Sequence, residues 1–259
     1  MSADRSGPRP ATSGLTGQAE DYLKAIYEME QGGEAAATSD IAAQLGVAAA
    51  SVSGMIQRLS RLGLVKVERY RGARLSGTGR QIALQLLRRH RIIESYLATQ
   101  LGYGWDDVHE EAERLEHAAS AELVERMAEA LGHPTADPHG APIPTAEGAV
   151  DERRLSSIAD MSVGSTAKVS RMSDRDPAFL RYLANLGIKP GATVKVLAKS
   201  PFDGPVELSV GKAKHSVGAS AAARVFIEVP AAGATATAAA PTTPRPGANK
   251  QSSRPRRAR

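Results

Sequence analysis

The chain has 259 residues and not one cysteine. Disulfides, thiolate zinc sites and cysteine-held iron–sulfur clusters are therefore excluded. It also lacks any run of about 18 apolar residues, the length a membrane-crossing helix requires. The N-terminus is polar and has no apolar core of a signal peptide, which points to the cytoplasm. Acids are missing from the end of the chain: Ala231–Arg259 holds Arg245, Lys250, Arg254, Arg256, Arg257 and Arg259 and no carboxylate. That tail carries +6 of a net +5, so the rest of the chain is at −1. Acids are nearly absent from a second stretch, Arg58 to Arg91, where ten basic residues face Glu68 alone. Asp106 to Glu125, by contrast, is acidic. One part of the body suits a polyanion and another suits a cation.

Taken in order, Met1–Leu15 is rich in Pro, Gly and Ser and is expected to be disordered, leaving residues 16–79 for a first domain. Thr16 caps a helix to about Glu30, with Ala19, Tyr22, Leu23, Ile26 and Met29 inward. Asp21 stands beside that apolar face, where by itself it reads as a first-turn acid favouring the helix dipole. Thr38–Val47 and Ala48–Leu59 form two short helices joined at Gly46, with Ile41, Leu45, Val52, Ile56 and Leu59 inward, a helix-turn-helix pattern. Leu64–Leu75 then reads as strand, basic turn and strand. A hairpin tipped by Arg69, Arg71 and Arg74 after such a helix pair makes a winged helix. Candidate DNA contacts are Ser39, Ala50, Ser51, Ser53, Gln57 and Arg58 on the helices, with Arg69, Arg71 and Arg74 on the phosphate backbone.

Residues 80–140 follow as a helical domain. Ser76 to Thr78 caps a helix to about Leu101, with His90 and Glu94 spaced i, i+4 on its inner face as metal ligands on a helix can be. Val108–Leu131 is expected to form one further helix. At about 100° per residue it gathers His109, Glu113, Glu116 and His117 within an arc of roughly 100°. An apolar stripe, Val108, Ala112, Leu115, Ala119, Leu123 and Met127, overlaps that arc. Charges so close to a core need a neutralising partner, and a divalent cation supplies one. The aliphatic surface of these two helices also points to a dimer interface.

His133 to about Glu152 reads as a Pro/Gly/Ala-rich linker, centred on residues 141–156, and His133 and His139 are given no role. From about Ser157 to 230 the pattern changes to short strands, Val163–Arg171, Ala192–Ala198, Val206–Val210, Ala213–Val217 and Val225–Val229. One helix, Pro177–Leu186, interrupts them, and the whole has the size of an SH3-like β-barrel. The fold class is thus mainly α with a small β part, and a disordered basic tail from 231 adds at most nonspecific DNA affinity.

A winged helix, a helix bearing this acid and His cluster, and a terminal SH3-like barrel together resemble the diphtheria-toxin-repressor family of metal-dependent regulators. The resemblance runs from about Gly17 to Val229. It is carried by Glu20-Asp21-Tyr22-Leu23-Lys24-Ala25-Ile26-Tyr27, by Arg89-His90-Arg91, and by Val108 through His117. By position it implies a primary regulatory metal site of Asp21, Glu113, Glu116 and His117, and an ancillary site of His90, Glu94 and His109. Iron-responsive members place Met and Cys where this chain has Asp21 and Glu113, whereas manganese-responsive members use carboxylates. Oxygen donors with one imidazole suit Mn2+ or Fe2+.

Departures from the family pattern accompany the match. Lys24 replaces a carboxylate found in some manganese-type members, against a compact binuclear site. Arg175 and Ala178 stand nearest the places where the iron-type barrel lends ligands, so Asp174 or Asp176 would serve only by a register shift. A Gln of the toxin repressor's recognition helix falls at Gly54.

The expected function is a metal-gated repressor of metal-ion homeostasis genes, acting as a homodimer on a double-stranded DNA operator, with no membrane and no small-molecule substrate. Its cofactor is Mn2+ or Fe2+. Two other readings stand beside it. One is a winged-helix regulator answering to a small organic ligand, with the acid and His cluster only structural. The other is a carboxylate-bridged metalloenzyme, which typically uses Glu-x-x-His from each of two helices. Here Glu113-x-x-Glu116-His117 has the wrong order and leaves no nucleophile or base over, so the chain is read as no enzyme.

Overall fold

In a computed structural model, residues 14–228 are described apart from 152, 154, 174 and 175. The two expected disordered ends, and Asp174 and Arg175 with them, lie largely outside the described residues.

Helix α1 (Gly17–Glu30) starts where the Thr16 hydroxyl accepts from Ala19 N at 3.3 Å. Its buried face carries Tyr22, Leu23 and Ile26. Helices α2 (Thr38–Leu45) and α3 (Ala49–Arg61) are separated at Gly46, whose φ of 65° ends α2 in the left-handed region. A Cβ-bearing residue pays a steric penalty in that region and glycine does not. Strands β1 (Val65–Glu68) and β2 (Gly72–Leu75) pair antiparallel, with Lys66 opposite Arg74. That register corrects one expectation: Arg74 lies within β2 and not at the tip. The inner strand gains a further partner, for Ala36 and Ala73 exchange both backbone hydrogen bonds at 2.9 Å. Ile41, Val52, Leu59 and Ala73 close this first core together with α1 and the start of α4.

Helix α4 (Gly77–Gln100) opens where the Ser76 hydroxyl accepts from Gly79 N at 3.0 Å. The single helix expected over Val108–Leu131 is two. Helix α5 (Val108–Glu116) stops at His117, and Ser120 caps α6 (Ala121–Ala130) by accepting from Leu123 N at 3.1 Å. Ala118 and Ala119 turn the chain between them. In consequence Leu115 and Leu123, expected on an inward stripe, are exposed, as are Leu101 and Tyr103. Val108, Ala112, Val124 and Ala128 do pack inward, against Ile92, Ile93 and Leu97 of α4.

The stretch expected as a linker is built into the fold. Ala136 bridges Pro142, Ala141 N and His139 N both donate to Asp137 Oδ1, and Ala141 and Ile143 are buried. Beyond it are β3 (Leu155–Ser157) and a 3-10 turn at Ile158–Asp160, both unforeseen. Next come β4 (Thr166–Met172), α7 (Pro177–Asn185), β5 (Thr193–Lys199), β6 (Val206–Val210) and β7 (Ala213–Val217). The short α8 (Ala219–Ala222) and β8 (Val225–Glu228) end the domain. The six strands form one antiparallel sheet in the order β3-β8-β4-β5-β6-β7. Bulges between Val169 and Arg171 and between Val196 and Ala198 bend it. Val194, Val196, Leu208 and Ile227 of the strands form one buried core with the α7 residues Leu180 and Leu183.

Candidate metal centre

Helices α1, α4 and α5 converge on one cluster. Asp21 from α1, Glu113 and Glu116 from α5, and His117 at the α5 C-terminus each offer a ligand atom, all within 4.8 Å of one another. Glu116 is buried, Asp21 and Glu113 are half-buried, and His117 is exposed. His117 Nε2 lies 3.2 Å from Asp21 Oδ1 and 3.6 Å from Glu116 Oε1. On the other side of its ring, Nδ1 donates to Glu20 Oε2 at 2.9 Å. That bond assigns the proton to Nδ1 and leaves the Nε2 lone pair facing the carboxylates. A ligating imidazole is held in this way by a carboxylate behind it.

The donor set fits a hard divalent cation. It consists of three carboxylates and one imidazole with no sulfur. Asp21 Oδ1 is buried and has no hydrogen-bond donor, which is costly for an acceptor unless a cation shares it. Burial, aided by the charges of Glu113 and Glu116, pushes the Asp21 carboxyl up from its ordinary range, against the pull of Lys24 and His117.

Sequence reasoning passed over Glu20, which stands next to Asp21 and reads as one more first-turn acid. It is 6% exposed and also lies 3.8 Å from Arg89 Nη1. Loss of an outer partner of a metal-ligating histidine commonly costs about 10–100-fold in affinity. Glu20→Ala is therefore expected to weaken Mn2+ binding by at least about tenfold with no change in secondary structure, as read by titration calorimetry and circular dichroism.

Lys24 is the second surprise. It is 7% exposed and donates to Glu113 Oε1 at 2.9 Å and, by a short contact, to Glu116 Oε1. Asp21 Oδ1 is 3.8 Å away. Burial opposes the charge, but Glu116 and Glu113 outweigh it and hold the ammonium above the usual lysine range.

The residues expected as an ancillary site do meet. His90 Nε2 lies 3.0 Å from Glu94 Oε1, and His109 Nδ1 lies 3.0 Å from the same oxygen and 3.1 Å from His90 Nε2. His90 Nδ1, however, points the other way and donates to Glu116 Oε2 at 2.7 Å. His90 is thus a bridge between the two clusters. Despite burial, Glu94 and Glu116 raise its pKa well above the ordinary value. Burial also works against charge on Glu94, yet His90 and His109 hold that carboxyl far below its ordinary range.

Glu94 belongs to a further group as well. With Asp137 and His139 it offers ligand atoms within 4.8 Å of one another, all three residues being buried. His139 is 0% exposed, with Nε2 2.6 Å from the Trp105 carbonyl oxygen; its Nδ1 and Glu94 Oε2 have no hydrogen-bond partner. Both Asp137 and His139 come from the supposed linker, where Pro and Gly composition hid them.

At the DNA end, Ser39, Ala50, Ser51, Ser53, Gln57, Arg58, Arg69 and Arg71 are all exposed. Ser53 Oγ donates to Ala49 O of its own helix at 3.1 Å. The Arg69 guanidinium stacks 4.9 Å over the ring of Tyr70, itself 91% exposed at the wing tip. Arg74 is half-buried and paired, donating to Glu68 Oε1 at 2.8 Å and to Gly33 O at 2.9 Å.

Comparison with known proteins matches three family models to successive parts of the chain. Residues 14–73 match the iron dependent repressor N-terminal DNA binding domain, residues 76–145 its metal binding and dimerisation domain, and residues 157–229 a FeoA domain. The iron-dependent repressor IdeR of Mycobacterium tuberculosis is 31% identical over 194 residues, covering 70% of this chain and 84% of that protein. The diphtheria toxin repressor of Corynebacterium jeikeium is 30% identical over 207 residues, covering 71% and 86%. Among solved structures, a manganese-dependent transcriptional repressor in complex with manganese superposes with a TM-score of 0.76 at 38% identity, covering 81% of this chain and 99% of that one. The chain belongs to the iron-dependent repressor family: it is a metal-dependent, DNA-binding transcriptional repressor and not an enzyme.

Proposed function

We propose that this repressor is activated by Mn2+, with Fe2+ as the alternative cation, and that it controls genes of metal-ion homeostasis. The observation that carries the choice of metal is the donor set Asp21, Glu113, Glu116 and His117, in which oxygen stands wherever a sulfur ligand would favour a softer ion. A bound cation would supply positive charge shared between carboxylates of α1 and α5. Asp21 would then be joined to Glu113 and Glu116 directly through the shared cation.

Helix α1 also reaches the DNA-reading pair, because Gln44 Nε2 of α2 donates to Glu28 Oε2 at 3.0 Å. Fixing α1 against α5 therefore fixes the winged helix against the helical domain that carries the dimer contact. A population of orientations narrows to the one that matches two DNA half-sites. Ser39, Ala50, Ser51, Ser53, Gln57 and Arg58 present the reading face, and Arg69 and Arg71 meet phosphates. The pairing of Arg74 with Glu68 and Gly33 makes it a support of the wing. The exposed Leu101, Tyr103, Leu115 and Leu123 give the homodimer an apolar contact.

A second cation would sit on Glu94, with either His90 and His109 or Asp137 and His139 completing its shell. The latter set is favoured by the unpartnered Glu94 Oε2 and His139 Nδ1, and by the engagement of both His90 nitrogens with carboxylates. We place the protein in the cytoplasm, with its DNA and no small-molecule substrate; no single helix among the described residues is long and apolar enough to cross a membrane. The test is duplex DNA binding by the full chain in Mn2+, in Fe2+ and in chelator.

A further inference from the structure

Lys24 puts a positive charge where the metal reading needs one. Its ammonium bonds Glu113 and Glu116, two of the four candidate ligands, and lies 3.8 Å from a third, Asp21. The groups facing it are these three acids together with His90, whose Nδ1 lies 3.7 Å from Glu113 Oε1 and 2.7 Å from Glu116 Oε2. From this geometry we infer that Lys24 is a tethered cation occupying the primary site of the metal-free repressor, which an incoming divalent ion must displace. The inference rests on the metal reading above and adds to it the residue that sets the switching concentration.

Three physical arguments support it. Clustered carboxylates repel one another unless a cation lies among them, and the Lys24 ammonium is within reach of all three. A divalent ion and an ammonium cannot share the same Glu113 and Glu116 oxygens at close range without mutual repulsion. Lysine, unlike arginine, carries a compact charge on a flexible four-carbon stem and can leave without dismantling the helix. A cavity of about 340 Å3 opens alongside, lined by Asp21, Lys24, Glu28, Gln44, His90 and Glu113. Glu28 lies one turn further along α1, so the displaced ammonium moves toward the carboxylate that accepts from Gln44 of α2.

The consequence is a threshold. Metal affinity is the intrinsic affinity of the carboxylate and imidazole set, reduced by the competition from Lys24. The same contact offsets part of the carboxylate charge in the metal-free protein.

The experiment uses the full chain and reads free Mn2+ by electron paramagnetic resonance, together with the thermal midpoint with and without metal. Lys24→Met keeps the length of the side chain and removes the charge. It is expected to bind Mn2+ at least tenfold more tightly than the wild type, with a lower metal-free midpoint that Mn2+ restores. Lys24→Arg, which keeps the charge, stays within threefold of the wild-type affinity. If Lys24→Met fails to fold, Lys24→Gln is measured with the same tightening expected. A wild type that binds Mn2+ while the neutral variants bind it equally or more weakly overturns the tethered cation and leaves the metal reading standing. No binding by either the wild type or the neutral variants overturns both. Binding by the neutral variants alone supports the inference, since the ammonium then holds the site closed.

Discussion

Replacing Glu116 by alanine is expected to lower the stability of the metal-free protein by about 3–5 kcal/mol and to abolish Mn2+ binding. Glu116 is 1% exposed and each of its oxygens meets a different cationic partner, Lys24 at Oε1 and His90 at Oε2. Those partners are buried too, at 7% and 5% exposure. Removing one member of a buried charge cluster leaves the others desolvated, at a cost of about 3–5 kcal/mol. His90 escapes part of the penalty by losing its proton, and Lys24 retains Glu113, which places the effect toward the lower end. The pKa of Glu116 tells the same story. Burial raises it, but the hydrogen bond from His90 and the charge of Lys24 win and hold it below the ordinary value. A carboxyl depressed in the folded state stabilises above its unfolded pKa, and the contribution fades as pH falls through the folded value. The loss in Glu116→Ala is therefore full at neutral pH and shrinks toward acid. Urea denaturation of the metal-free variant at pH 7 and pH 4 measures it, and titration calorimetry reads the missing Mn2+ site.

The second large effect is predicted in the wing, with no acid or metal involved. Gly72→Ala is expected to cost about 4 kcal/mol and to disorganise the hairpin. Gly72 has φ 117°, a conformation that strains any L side chain by about 1–3 kcal/mol. A Cβ there would fall inside the Ala36 carbonyl, 2.7 Å from its carbon and 2.9 Å from Ala37 Cα. Relief requires Ala36 to withdraw, which breaks the two bonds it exchanges with Ala73, each worth about 0.5–1.5 kcal/mol. Gly63 provides the control. It also has positive φ, at 72°, but a Cβ would meet nothing within 4 Å, so its alanine variant loses only about 1 kcal/mol. Chemical denaturation of the pair separates backbone strain from collision, and DNA binding by Gly72→Ala should fall with its wing.

What could be read in the sequence followed from periodicity. The i, i+3 and i+4 spacings of His90 with Glu94 and of Glu113, Glu116 and His117 placed those residues on inner helix faces, and the structure brings them together across three helices. Gly46 marked a helix end by its backbone freedom. Reasoning by periodicity broke down where neighbours in space decide. Ala118 and Ala119 favour helix, so only the capping hydroxyl of Ser120 signals that Val108–Leu131 divides. Arg74 appeared to be a tip residue because the hairpin register is invisible until Lys66 is known to face it. Asp137 and His139 sit among prolines and glycines, a composition that gives no periodic signal. Lys24 was legible as a departure from the family pattern, yet its pairing with Glu113 and Glu116 spans 89 and 92 residues of chain. Long-range ion pairs leave no local pattern.

The central claim is that metal bridging of α1 and α5 turns DNA binding on. It is tested most directly by selecting duplexes from a random pool with the full chain in Mn2+, then measuring affinity for the selected duplex in Mn2+ and in chelator at fixed ionic strength, since phosphate contacts make the affinity salt-dependent. The prediction is that chelator weakens binding by at least about 100-fold, a coupling of about 3 kcal/mol, and that Asp21→Ala with Glu113→Ala binds as weakly in Mn2+ as the wild type does in chelator. Equal affinity of the wild type in Mn2+ and in chelator would contradict the account.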